Sequence, residues 1–227
     1  MNDKQLVALH AARLVENGMI VGLGTGSTAN FFIEELARRR REEGLQVTAV
    51  ASSTVSTLKA QQLGLPLIAM EHLPGLDLYV DGADEITPGL SLLKGRGYDL
   101  VKEKLLARAA SRFVVVADRS KLVTHIGEKF PVPVEVIPAA WPLALRALEK
   151  AGGRGALRPN AAGDGLAITS HGSLVLDMQF DPGRDAAALN SLINDIPGVV
   201  EHGIFYNLTG LVLIADNGAI EERLPAS

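Results

Sequence analysis

The stretch Ile20-Val21-Gly22-Leu23-Gly24-Thr25-Gly26-Ser27-Thr28-Ala29 decides the fold class. A short β-rich apolar run at 20–23 enters a turn of alternating glycines, and a helical pattern follows from 28 to 41. Ser27 or Thr28 is the expected N-cap. Strand, glycine turn and helix open a parallel α/β unit, and the same alternation continues outward. Further strands are expected at 46–50, 76–80 and 113–117, with helices at 55–63 and 99–110 and a leading helix at 6–16.

After Phe130 the character changes, with Pro131, Pro133 and Pro138 punctuating the run. The patterns there predict a strand at 132–136 and a helix at 142–150. They continue with a hairpin of 166–170 and 174–180 around His171-Gly172, a helix at 185–193 and a strand at 199–205. That order resembles a split βαβ, ferredoxin-like unit. The last apolar run, 211–215, is expected to return to the first sheet, which makes the smaller unit an insertion. No repeat of solenoid period occurs.

Composition narrows the function classes. Of 227 residues, 47% are hydrophobic and 21% charged, ordinary for a globular protein. No apolar stretch approaches the roughly 20 residues that span a bilayer, and the first residues lack a secretory pattern, so a cytoplasmic protein is expected. The absence of cysteine excludes disulfides, thiolate catalysis and cysteine zinc sites. A net charge of −4 gives no general attraction to nucleic acid, and the basic run 38–41 is followed at once by Glu42 and Glu43. The five histidines show no zinc-ligand spacing, so neither metal nor cofactor is expected.

The glycine turn lets backbone amides face an anion, and phosphate is its natural guest. A strand-to-helix turn needs glycine for geometry whether or not it binds anything, so the loop alone leaves both roles open. It contains no lysine, against a Walker A loop, and Ser52 and Ser53 stand where a dinucleotide site wants an acid. Asp81-Gly82-Ala83-Asp84-Glu85 then places three carboxylates at the carboxyl end of a strand, the edge where ligands bind in such sheets. Ten residues on, Lys94-Gly95-Arg96-Gly97 sets cations beside mobile backbone. In the next helix Glu103 shares a face with Leu106, Ala107 and Ala110, while Lys104 and Arg108 point away. A carboxylate on such a face is either an ion-pair partner or a group that partial burial suits to work as a base.

These motifs, with Lys129-Phe130-Pro131-Val132-Pro133-Val134-Glu135-Val136 and Ile196-Pro197-Gly198-Val199-Val200, resemble the type A ribose-5-phosphate isomerases over nearly the whole chain. The resemblance implies a Rossmann-like parallel-sheet domain at 1–130 plus 206–227 and an inserted α+β domain at 131–205. It implies interconversion of D-ribose 5-phosphate and D-ribulose 5-phosphate through an enediolate, in the non-oxidative pentose phosphate pathway. The resemblance also implies that no metal is required and that the assembly is a homodimer, with a tetramer as the alternative. Glu103 is the implied proton acceptor, joined in catalysis by Asp81, Asp84 and Lys94. Substrate contacts fall to Thr25, Gly26, Ser27 and Thr28, to Asp81, Gly82, Ala83 and Asp84, to Lys94, Gly95, Arg96 and Gly97, and to Lys121. Arg96 and Tyr98 depart from the family's run of small residues.

Two other classes share the scaffold. A sugar-phosphate sensor would bind without turnover and would need a DNA-binding segment, for which the roughly twenty residues before the first α/β unit are too few. A sugar-phosphate deaminase or acyl-CoA transferase would lack the set Asp81, Asp84, Lys94 and Glu103.

Overall fold

The computed structural model describes residues 2–225. The chain runs α1 (Asp3–Ala12), β1 (Ile20–Leu23), α2 (Ser27–Glu43), β2 (Thr48–Ala51), α3 (Thr54–Gln62), β3 (Leu76–Asp81), β4 (Glu85–Ile86) and β5 (Leu92–Leu93). It continues with α4 (Leu100–Ala109), β6 (Ala110–Asp118), β7 (Val132–Val136), α5 (Trp141–Lys150) and β8 (Arg154–Leu157). The remainder is β9 (Leu174–Gln179), α6 (Ala186–Asn194), β10 (Val199–His202), β11 (Ile204–Phe205), β12 (Leu211–Asp216) and β13 (Ala219–Arg223). By internal contacts the chain divides into two compact units. The first holds the described residues of Met1–Ala83, Lys102–Lys121 and Leu208–Ser227; the second holds Asp84–Val101 and Leu122–Asn207.

The first unit is built on a sheet ordered β13-β12-β6-β3-β1-β2, parallel except for β13. Its central strands are almost continuously buried, as a parallel sheet covered on both faces demands. Alternate residues Val21, Leu23, Leu78, Val80, Val114, Val116, Leu213 and Ala215 share one core with α1 and α2. Residues of the opposite parity include Tyr79 and Phe113, whose rings stack at 5.0 Å.

Three local details differ from expectation. Helix α1 starts at Asp3 rather than 6, because the Asn2 side chain caps it by accepting the Gln5 N–H at 2.8 Å. Helix α2 has Gly26 as N-cap, with φ +114 and no side-chain cap; Ser27 is its first helical residue. Strand β13 was not anticipated. It forms a two-residue hairpin with β12 through Asn217 and Gly218, both at positive φ, and both amides donate to the Asp3 carboxylate.

The second unit has a four-stranded antiparallel sheet ordered β10-β7-β9-β8 with α5 and α6, which is the ferredoxin-like arrangement. The expected hairpin of 166–170 with 174–180 is corrected. Strand β9 pairs with β8, and 166–170 forms only the isolated bridges Pro159↔Leu166 and Ile168↔Leu174. Leu166 and Ile168 are exposed, so their alternation does not mark a buried face. Strand β8 escapes notice because Arg154-Gly155-Ala156 is poor in β-formers, yet Gly155 is required: a Cβ there would stand 2.1 Å from the Asp177 carbonyl oxygen.

The expected strand 199–205 breaks at Gly203 into β10 and β11. β11 joins β5 and β4 in a small separate sheet, which is one reason that residues 84–101 group with this unit.

Candidate active site

In the first unit the site forms where the carboxyl end of β3 meets the glycine turn. Gly24 has no room for a side chain, since a Cβ would lie 2.2 Å from Asp81 Oδ1. The turn is thereby pressed onto Asp81, whose Oδ1 accepts the Thr25 N–H at 3.1 Å and the Gly82 N–H at 2.7 Å. Tyr79 donates its phenol to the other oxygen, Oδ2, at 2.5 Å. Both oxygens of this buried carboxylate are therefore engaged. Burial raises the Tyr79 phenol well above its usual range, and the negative charges of Asp81 and Glu103 add to the shift, so the ring stays a proton donor.

Glu103 is the base that the resemblance implies. It is 7% exposed on α4, beside buried Leu106 and Ala107, as its helical face predicts. Lys104, on another face of the helix, is buried as well, so α4 is covered on more than one side. The Thr25 hydroxyl donates to Ser53 Oγ at 2.6 Å and lies 3.1 Å from the hydroxyls of Ser52 and Ser56. Ser56 in turn donates to the Gly24 carbonyl at 2.6 Å. Thr25, Ser52, Ser53, Asp81 and Glu103 thus belong to one hydrogen-bonded and electrostatic neighbourhood, with Tyr79 at its centre.

In the second unit the Asp84 N–H donates to the Leu93 carbonyl at 2.8 Å, tying the acidic turn to the strand that leads into Lys94. Lys94 is buried, with its ammonium 5.6 Å from the Phe205 ring centroid. Gly95 has φ +93, a left-handed conformation that starts the loop. Glu85, the third carboxylate of the acidic turn, is spent on structure. It accepts the amides of Gly127, Lys129 and Phe130 at 2.7, 2.6 and 2.9 Å.

The description "Ribose 5-phosphate isomerase A (phosphoriboisomerase A)" names the family model that matches residues 48–218. The chain belongs to this isomerase family. A ribose-5-phosphate isomerase A of Roseiflexus sp. strain RS-1 is 45% identical over 226 residues, covering 99% of this chain and 97% of that protein. The solved ribose 5-phosphate isomerase A of Methanocaldococcus jannaschii superposes with a TM-score of 0.92 at 42% identity, covering 98% of each chain. A D-ribose-5-phosphate isomerase in complex with phospho-erythronic acid gives 0.94 at 34% identity, covering 99% of this chain and all of that one.

Two features of this family member escape a reading of its sequence. Lys4 donates to Ser27 Oγ at 3.1 Å, adding a cation at the start of α2. The Asp118 carboxyl lies below its usual range: burial works the other way, but hydrogen bonds from Ser120 outweigh it, and the charges of Lys121 and Lys4 assist. Lys4 and Lys121 thus act on one carboxylate, and nothing in the spacing of positions 4, 27 and 121 announces that. The second is Tyr79, which reads as one more apolar residue of β3. The Arg96 guanidinium lies 4.0 Å over the Phe130 ring.

Proposed function

We propose that the protein interconverts D-ribose 5-phosphate and D-ribulose 5-phosphate through an enediolate, with Glu103 as the base. The observation that carries the assignment of the base is the buried Glu103 beside the Tyr79–Asp81 pair, on an isomerase scaffold matched end to end. Isomerisation removes a weakly acidic proton next to a carbonyl and returns it to the neighbouring carbon, and one carboxylate can do both. A glutamate performs the same proton transfer in triosephosphate isomerase.

Negative charge grows on oxygen between the two proton transfers, and Lys94 with the loop amides at 95–97 is assigned to meet it. Removing one such donor typically costs about 3 kcal/mol of transition-state stabilisation. Asp81, Asp84, Gly82 and Ala83 are assigned to the sugar hydroxyls. Asp81 also clamps the glycine turn to β3, as its three donors indicate. The phosphate is assigned to Gly26, Ser27 and Thr28 at the uncapped start of α2, with Lys121 and Lys4 beside it. The working form is a homodimer.

The test is conversion of ribose 5-phosphate by purified protein in chelator and heavy water. Turnover with solvent deuterium in the product agrees with the enediolate. Absence of turnover, or turnover with no deuterium at any extent of reaction, contradicts the reading.

A further inference from the structure

Arg158, which no role above uses, sits directly behind the Lys94–Gly97 loop within the second unit. Its side chain is only 13% exposed. Nε donates to Asp177 Oδ2 at 2.8 Å and Nη2 to Oδ1 at 2.6 Å, a two-pronged pairing that holds the guanidinium plane in one orientation. The remaining nitrogen, Nη1, faces three successive backbone carbonyls: Gly95 at 3.1 Å, Arg96 at 3.3 Å and Gly97 at 3.1 Å. Arg158 is itself anchored, its N–H donating to the Val175 carbonyl and its carbonyl accepting the Ala167 N–H.

In a trans peptide the C=O and the following N–H point in opposite directions. Three carbonyls gathered on one donor therefore turn the amides of Arg96, Gly97 and Tyr98 to the other side of the loop. Consecutive amides presented in this way make an anion-binding concavity. We propose that Arg158, oriented by Asp177, is the positioning residue that shapes this concavity for the anionic oxygen of the reacting sugar. Lysine cannot replace it, because a point-like ammonium cannot span Asp177 and three carbonyls at once.

The inference rests on the isomerase reading, and the experiment separates the two. Arg158→Lys and Asp177→Asn are compared with the parent in kcat, in inhibition by phospho-erythronic acid and by inorganic phosphate, and in amide exchange at 95–98. Misplacing reacting groups by about 1 Å can cost on the order of 100-fold, so kcat is expected to fall about 100-fold in Arg158→Lys and about tenfold in Asp177→Asn. Phospho-erythronic acid should weaken about tenfold while inorganic phosphate stays within about twofold, because only the former reaches beyond a phosphate site.

Unchanged kcat in both folded variants overturns the proposal, as does equal weakening of the two inhibitors together with a lowered unfolding temperature. Should the parent not isomerise ribose 5-phosphate, exchange at 95–98 still decides. Faster exchange in both variants supports the positioning role, and unchanged exchange overturns it.

Discussion

At the scale of single residues, the contact between Tyr79 and Asp81 organises the glycine turn of the first unit. Tyr79→Phe removes the phenol from Oδ2 and keeps the stacked ring. A hydrogen bond to a charged partner is worth about 1.5–3 kcal/mol, so the variant should be less stable by about that amount near pH 8 in urea titration. The phenol's ionisation is raised in the folded state, so its contribution is complete below the unfolded value near pH 10 and is lost as pH climbs from there. The gap between parent and variant should therefore narrow above about pH 10. A gap that widens there would contradict the buried, protonated phenol. Glu135 on β7 follows the same sign at lower pH, since burial raises its carboxyl against hydrogen bonds from Thr169 and Ser173. A raised acid weakens the fold as pH climbs above its unfolded value of about 4.3, so Glu135→Gln should gain stability relative to the parent as pH rises from there.

At the scale of elements, Glu85 shows how a motif residue can be structural. Its carboxylate collects three amides from the segment 127–130, and Glu85→Ala leaves them without that acceptor. The three amides are only part-buried and water can reach some of them, so a loss of about 1–3 kcal/mol in total is expected by chemical denaturation. A change below about 1 kcal/mol would show that water replaces the carboxylate.

The same scale explains what was legible beforehand. The central strands stand out as short, almost continuously apolar runs, and α2 stands out because its buried Phe32, Ile33, Leu36 and Ala37 recur at helical spacing. Strand β8 and the bridge region 166–170 mislead, since an exposed edge need not be apolar and an apolar alternation need not be buried. Strand β13 went unanticipated although Asn217-Gly218 is a short-range hairpin signal. Arg158 was not readable, because its partners lie about 19 and 60 residues away and only the folded chain brings them together.

At the scale of the whole molecule, the chain returns to its first unit only at its end. Strand β12 lies between β6 and β13, with Leu211, Val212, Leu213, Ile214 and Ala215 all at most 1% exposed. At roughly 1.5–3 kcal/mol for each large side chain, this strand contributes about 6–12 kcal/mol of burial. That rivals the ~5–15 kcal/mol total stability of a typical domain. A chain ending at residue 207 should therefore fail to show a cooperative transition for the first unit in calorimetry. Among the described residues no helix is long and apolar enough to cross a membrane. With a chain mass of 24.0 kDa, the proposed homodimer predicts about twice that value by sedimentation. The central claim is that Glu103 moves the proton, and the most direct test is Glu103→Gln assayed with ribose 5-phosphate while binding of that sugar phosphate to the variant is followed by calorimetry. General-base removal predicts a loss of about 100-fold to 10,000-fold in kcat with sugar-phosphate binding retained. Turnover close to that of the parent would remove Glu103 from the mechanism.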